Sequence, residues 1–280
     1  MDTLDALILG IVQGLAEYLP ISSSGHLEIC REILGLELTG ADSLQFDVIL
    51  HVATVLSTIV VLWKRFVPLC GAFFGLRFDS PDFTYVLKLL VSAIPVGIVG
   101  FCFKDVIEEF FGGDLQQVGI CLCITAVLLA FAFFCRTNPL LRSRSEGKPL
   151  PYEPHDITFV DAFVIGLAQA IAVLPGLSRS GSTIATGIML GDRRDRIAAF
   201  SFFMVIIPIM GEALLDCIKI SKCDDLTGAD IGVVPLVTGF LAAFIVGCLA
   251  CKWMIDLVSR GKLVWFAIYC VAVGILCIIW

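Results

Sequence analysis

Long uninterrupted apolar runs alternate with short polar segments along the whole chain. Residues 115–135 and 231–251 contain no charged side chain, and about 20 apolar residues are enough for a helix to cross a bilayer. The apolar runs are continuous, as in residues 127–134. They lack the alternation of apolar and polar residues, with a period of two, that a membrane β-barrel requires. The pattern therefore predicts an all-α polytopic membrane protein.

Two classes of apolar segment can be distinguished by length. About six full transmembrane helices are predicted, near residues 46–65, 84–103, 115–135, 197–218, 231–253 and 262–280. Residues 6–36 and 158–190 are apolar stretches that a polar turn interrupts. Each has about 14 apolar residues before the turn and about 10 after it, too few on either side for a crossing. We expect both to be re-entrant helical hairpins.

The two interrupted segments are copies of one another. Aligning residues 5–35 with residues 161–191 gives ten identities in 31 positions, among them Gln13 with Gln169 and Ser22 with Ser178. Three predicted spans separate the hairpins, so the second enters the membrane from the opposite face and the repeat is inverted. The single membrane domain, 1–280, then consists of repeat one at about 1–138, a cytoplasmic linker at about 139–156 and repeat two at about 157–280.

The distribution of positive charge gives the orientation. This topology places fourteen of the nineteen Lys and Arg side chains on one side and four on the other, and it leaves Arg179 at a hairpin tip. By the positive-inside rule the fourteen-charge side is cytoplasmic, so both termini are expected on the outer face. The acidic start, with Asp2 and Asp5, is unlike the basic start of a signal peptide, so we expect the N-terminus to be retained.

Composition excludes several functional classes. The chain is 58% hydrophobic and 16% charged, whereas a soluble domain carries about a quarter charged residues. A net charge of -7 offers no basic face for nucleic acid. Most of the twelve cysteines lie in or beside apolar runs, including the pair Cys248 and Cys251, and we interpret them as small hydrophobic residues.

The polar residues gather at the two interruptions. Non-helical backbone at membrane depth needs protein or water to satisfy its polar groups, so the two tips are expected to meet at a hydrated site. Serine clusters follow Pro20 and Pro175, where each second half-helix should begin. Serine is a common N-cap, and free amides at a helix N-terminus bind anions. Together with the charge of Arg179, two such N-termini predict a phosphate receptor.

Each candidate residue also has a structural interpretation. Single serines are more often helix caps than catalysts, and Gly10 and Gly14 are typical of close helix packing. Glu17 shares a helix face with Gln13 on an otherwise apolar hairpin, and this favours a functional role. The same holds for His26 beside three serines. His51 and Glu212 lie in apolar spans without a motif and are interpreted as structural or as packing against each other as a polar pair.

The motifs resemble those of the bacterial undecaprenyl-diphosphate phosphatase family, also called bacitracin-resistance proteins. The resemblance rests on Gln13-x-x-x-Glu17, on Pro20-Ile-Ser-Ser-Ser-Gly-His26 and on Pro175-Gly-Leu-Ser-Arg-Ser-Gly-Ser-Thr183, and it covers the whole chain. It implies hydrolysis of the C55 polyprenyl diphosphate to the monophosphate carrier lipid for cell-wall synthesis. It also implies an inner-membrane location with the site open to the outer face, membrane lipids as partners, a divalent cation such as Mg or Ca, and allows a homodimer.

The resemblance also implies roles for individual residues. The catalytic set is Glu17, Ser23, His26 and Arg179. The phosphate-binding set is Ser22, Ser24, Gly25, Ser178, Ser180 and Thr183. Gln13 occupies a position that is Glu or Gln in the family, so a metal site at Gln13 and Glu17 has one carboxylate here.

Several mechanisms are compatible with these residues. Ser23 attacks the phosphoryl group after giving its proton to His26, or His26 attacks directly or activates water, while Glu17 orients the imidazole or holds the cation. The alternative function is a transporter or flippase of a polyprenyl phosphate or another anionic substrate, because inverted repeats with broken helices also build carriers.

Overall fold

The computed structural model describes residues 1–36, 40–103, 115–137, 155–222 and 231–280, and these residues fold into helices joined by short turns. A single isolated parallel β-bridge joins His155 to Asp192. The predicted all-α class is confirmed. The predicted linker, 139–156, lies outside the described residues except for its last two positions.

Twelve helices are seen in these ranges. They are α1 Thr3–Ala16, α2 Ser23–Leu34, α3 Gly40–Val61, α4 Trp63–Phe74, α5 Pro81–Cys102, α6 Leu115–Thr137, α7 Phe159–Ile171, α8 Arg179–Leu190, α9 Arg194–Met204, α10 Ile206–Lys222, α11 Val233–Ser259 and α12 Val264–Ile279.

Five segments of the described chain are long and apolar enough to cross a membrane, one fewer than the predicted six. They are Ser43–Val61, Pro81–Gly100, Leu115–Phe134, Arg194–Leu215 and Val233–Ser259. The sixth predicted span forms α12, a shorter apolar helix of 16 residues that starts only after the turn at Gly261. Large apolar side chains such as Val127, Trp265 and Val233 are exposed, as expected for surfaces that face lipid.

The fourth of these segments contains a break that its hydropathy did not predict. Its two helices meet at Val205, the C-cap of α9. Pro208 has no backbone N–H to donate to the carbonyl four residues earlier, that of Met204, so the proline accounts for a helix end at this position.

The helices that start the two interrupted segments pack against equivalent partners. Helix α1 packs against α11, and α7 packs against α5. A Cβ on Gly10 would lie 2.5 Å from the Gly239 carbonyl oxygen, and one on Gly14 would lie 2.8 Å from the Ala243 oxygen. The predicted packing role of these two glycines is confirmed. Gly166, the counterpart of Gly10, contacts the Ser92 backbone in the same way.

The cysteines act as packing residues. All nine with a described environment are free thiols, and Cys251, Cys270 and Cys277 are buried among apolar helices. This agrees with the interpretation of the cysteines as small hydrophobic residues.

Candidate active site

The first interruption separates α1 from α2 over residues 17–22. Helix α1 ends at Ala16, and Pro20 lies in the turns that follow. Ser22 then adopts a left-handed backbone with φ of 70°, and its hydroxyl accepts the Gly25 amide at 3.3 Å. A positive φ is uncommon for serine, so the surrounding structure must hold this cap in place.

The second interruption separates α7 from α8 and is built in a similar way. Ser178 caps α8, and its hydroxyl accepts the Gly181 amide at 3.0 Å. Gly176 has a φ of +86°, and a Cβ there would lie 2.8 Å from the Val118 backbone, so only glycine fits. The predicted N-caps at both serine clusters are confirmed.

The two interruptions contact each other, as predicted. The Ser180 hydroxyl donates to the Leu19 carbonyl at 3.1 Å. A Cβ on Gly25 would lie 3.1 Å from the Gly176 Cα, and one on Gly181 would lie 3.2 Å from the Pro20 Cβ. The N-termini of α2 and α8 therefore share one region of the protein interior.

The first-turn amides of α2 and α8 are available to a ligand. In each helix the cap serine already bonds the third amide of the turn. Within the described residues, four further amides donate no hydrogen bond to protein: those of Ser23, Ser24, Arg179 and Ser180. Free amides of this kind, at the positive ends of two helix dipoles, favour a phosphate-like anion.

Glu17 is the centre of the polar contacts at this junction. Its side chain is only 7% exposed. Its carboxylate accepts hydrogen bonds from Ser23 Oγ at 2.8 Å and from Gln13 Nε2 at 3.0 Å. Arg179 Nη2 lies 3.8 Å from Glu17 Oε1. Three predicted site residues, Glu17, Ser23 and Arg179, are thus in direct proximity.

His51 belongs to the same group of side chains, although its position in an apolar span suggested a structural role. Its Nδ1 donates to the Asp47 carbonyl at 2.8 Å. Its Nε2 lies 3.5 Å from Arg179 Nη2 and 3.9 Å from Glu17 Oε2. The one signal that could have revealed it is the rarity of ionisable residues inside membrane spans.

His26 lies on the first turn of α2, but its ring bonds elsewhere. Its Nδ1 donates to the Ser22 carbonyl at 2.8 Å, and its Nε2 forms a hydrogen bond with the Tyr269 hydroxyl, also at 2.8 Å. The two rings are stacked with centroids 5.6 Å apart. Among the described contacts of His26 there is none to Ser23, Glu17 or Arg179, so its catalytic role stays a prediction. Tyr269 was not anticipated from the sequence.

Two cavities adjoin this junction. The larger has a volume of about 440 Å³. Its polar lining consists of Ser22, Ser23, Ser24, His51, Arg179 and Glu212, and its apolar lining comes mostly from α5 and α10. The smaller, of about 20 Å³, is lined by Glu17, Gln169 and Thr183, among others.

The remaining predicted residues lie around these cavities. Thr183 is buried, and its hydroxyl bonds the Arg179 carbonyl and Ser201 Oγ, at 2.9 and 2.6 Å. It therefore lines the smaller cavity rather than the larger one. Gly25 is buried, with Val118 and Gly176 close to it.

A divalent cation has a limited set of protein ligands here. Glu17 supplies a carboxylate, and Gln13 Oε1 is buried without a hydrogen-bond partner in the described structure. This donor pair fits a cation that takes its other oxygens from substrate phosphates and water, as Mg²⁺ commonly does. The one group of three metal-binding side chains found among the described residues is His155, Asp161 and Asp192, which lie before α7, in its first turn and after α8.

The fold and the junction together define a class of protein. It is a helical membrane protein whose two broken helices present free amides, an arginine and a carboxylate-bonded serine to one cavity. Such a site can bind an anionic headgroup and position a nucleophile.

Comparison with known proteins identifies the family. The chain belongs to the bacitracin resistance protein BacA family, whose sequence model matches residues 6–276. It is 51% identical to an undecaprenyl-diphosphatase from Bacteroides thetaiotaomicron, over 100% of this chain and 99% of that protein. It is 42% identical to one from Christiangramia forsetii, covering 100% and 98% of the two chains. Undecaprenyl-diphosphatase 3 of Bacillus anthracis is 35% identical over 98% of this chain and 96% of its own length.

Proposed function

We propose that this protein hydrolyses undecaprenyl diphosphate to undecaprenyl phosphate and inorganic phosphate, and so recycles the carrier lipid of cell-wall synthesis. The observation that carries the proposal is that Ser23 and Arg179 line one cavity at two helix N-termini, while the Glu17 carboxylate accepts the Ser23 hydroxyl and lies 3.8 Å from Arg179. The family membership and the names of the relatives agree with it.

Anion binding is the first requirement of this reaction. Arg179 and the free amides of the first turns of α2 and α8 would neutralise charge on the diphosphate as the phosphoryl group is transferred. Ser22 and Ser24 line the same cavity and would contact the phosphates directly. The N-termini of α2 and α8 would be held in position by the other residues of the predicted phosphate-binding set, Ser178, Ser180, Gly25 and Thr183.

The geometry favours Ser23 as the nucleophile. The Ser23 hydroxyl already donates to Glu17 Oε2. In this mechanism Ser23 Oγ attacks the terminal phosphorus, its proton passes to Glu17, and the bond from phosphorus to the bridging oxygen breaks to release the lipid monophosphate. Water then hydrolyses the phosphoserine. A radiolabelled phosphoenzyme that is absent in Ser23→Ala supports this route, whereas label on His26 would transfer the nucleophilic role to the imidazole.

A divalent cation, Mg²⁺ or Ca²⁺, would be held by the Glu17 carboxylate and Gln13 Oε1. When bound it would supply additional charge neutralisation for the diphosphate. Substituting Gln13 by Leu should raise the cation concentration that gives half-maximal activity. An unchanged concentration dependence would remove Gln13 from the metal site.

We further propose that the two interrupted segments are re-entrant hairpins of an inverted repeat, with repeat one at about 1–138, the cytoplasmic linker at about 139–156 and repeat two at about 157–280. The equivalent packing of α1 on α11 and α7 on α5 supports the repeat. In the bacterial inner membrane, both termini would face outward and the site would open to the outer side. A cysteine at position 145 that reacts with an impermeant reagent from outside the cell would reverse this orientation.

Transport is the second candidate function, because broken helices in an inverted repeat also occur in carriers. A liposome assay that measures phosphate release and lipid translocation separately distinguishes the two. We expect the protein to release phosphate whether or not lipid crosses the bilayer. Phosphate release should be lost in Arg179→Ala. Translocation without hydrolysis would show that the protein is a flippase and not a phosphatase. Chemical cross-linking in the membrane tests whether two copies associate as a homodimer.

A further inference from the structure

Gln169 is a buried amide that the proposed reaction does not use. It lies on α7 and is completely buried. Neither its Oε1 nor its Nε2 has a hydrogen-bond partner within the described residues. A glutamine side chain carries two donors and one acceptor, and native proteins rarely leave such groups unpaired in the interior. The side chain therefore needs a partner that is not protein.

The internal repeat explains how this amide lost its protein partner. Gln13, the counterpart of Gln169 at a shift of 156 positions, donates to Glu17, four residues further along the chain. The residue four positions after Gln169 is Val173, whose side chain cannot accept a hydrogen bond. The second repeat thus has the amide of the pair but no carboxylate at the matching position.

The smaller cavity lies beside Gln169 and has room for one water molecule. Its volume is about 20 Å³, and a buried water needs about 10–15 Å³ and two to four polar partners. Further polar side chains that line this cavity include Glu17, Tyr18, Thr58, Arg179, Thr183 and Ser201.

We propose that this cavity holds one ordered water molecule, which accepts a hydrogen bond from Gln169 Nε2 and donates one to the Glu17 carboxylate. Gln169 is then a positioning residue that holds the Glu17 carboxylate through the water in the smaller cavity. Ser23, which lines the larger cavity, bonds the same carboxylate directly. This role in catalysis rests on the proposed phosphatase function, whereas the water site itself does not.

The most direct test is an experimental structure at a resolution that shows ordered water. We expect density for one water within hydrogen-bond distance of Gln169 and Glu17, and none at this place in Gln169→Leu. An empty cavity in the wild-type protein, or a Gln169 amide bonded directly to another side chain, would overturn the proposal whatever the enzyme activity is.

A pair of variants tests the positioning role. The Asn and Leu side chains have nearly the same shape, and both are shorter than that of Gln169. Only Asn keeps an amide group. The space freed by the Asn substitution leaves room for a second water molecule. We expect Leu to lower kcat by about tenfold to a hundredfold with little change in KM, as for other residues that orient a catalytic group through hydrogen bonds. Asn should retain most of the activity.

The controls separate the possible failures. Thr238→Val also removes a polar group from a helix, but at a half-buried position outside the site, and should leave activity unchanged. Equal losses in Asn and Leu, with thermal unfolding midpoints that fall equally, would show a role in packing alone. Wild-type activity in both variants would contradict the positioning role. If even the wild-type protein released no phosphate, the proposed function would fail, and the density test would still decide the water site.

Discussion

Replacing Arg179 by Ala should remove most of the phosphatase activity. The residue lines the larger cavity and lies 3.8 Å from the Glu17 carboxylate. At that separation and an effective dielectric constant of about 20, two unit charges attract by about 4 kcal/mol. A phosphoryl oxygen at a similar distance from the guanidinium would be stabilised by a comparable amount. Because about 1.4 kcal/mol corresponds to a factor of ten in rate, kcat should fall about a thousandfold.

The assay is phosphate release from a polyprenyl diphosphate by the purified protein in detergent, with the thermal unfolding midpoint as a check on folding. Arg193→Ala is the matched control, because that arginine is exposed and pairs only with the equally exposed Asp195 in the described structure. Exposed ion pairs contribute little to stability, so this variant should behave like the wild type. If folded Arg179→Ala kept a rate within threefold of Arg193→Ala, the Arg179 guanidinium would not be a source of transition-state stabilisation.

Three further predictions concern catalysis, packing and pH. Tyr269→Phe removes the hydroxyl that bonds His26 and should change the pH profile of kcat; an unchanged profile would show that the His26 ring does not take part. Gly14→Ala forces a Cβ against α11 and should lower the free energy of unfolding by about 1–3 kcal/mol, and with it the unfolding midpoint. Gly71→Ala places its Cβ in open space and should not lower the unfolding midpoint. The pKa of His155 is raised by its hydrogen bond to the Asp156 carbonyl and by the nearby carboxylates, so its stabilising effect should be complete below about pH 6.5 and should be lost as pH rises above that. In His155→Asn the unfolding midpoint should lack this pH dependence, and a wild-type dependence in the variant would contradict the assignment.

Much of the architecture follows from local sequence chemistry. Proline followed by serine at both interruptions marks a helix end and a new N-cap, and Ser22 and Ser178 form these caps. Small residues at Gly10 and Gly14 predict close helix contact, and the backbone of α11 lies there. These features depend on a few neighbouring residues, so a single sequence contains the information.

Other features depend on contacts between distant elements, which no local pattern encodes. His51 and Tyr269 reach the junction from α3 and α12, although both lie in apolar stretches with no motif. The orientation of the His26 ring toward Tyr269 was missed for the same reason. The predicted span near 262–280 forms a helix of 16 residues, Val264–Ile279, and hydropathy alone does not fix the residues at which a helix begins and ends.

We expect the two broken helices to hold one diphosphate headgroup between their N-termini. A structure with a non-hydrolysable methylene diphosphonate analogue of the lipid would show whether they do. We expect density for the headgroup within hydrogen-bond distance of Arg179 and of first-turn amides from both α2 and α8. A headgroup that contacts only one of the two helices, or that binds at a distance from Arg179 and Glu17, would contradict this expectation.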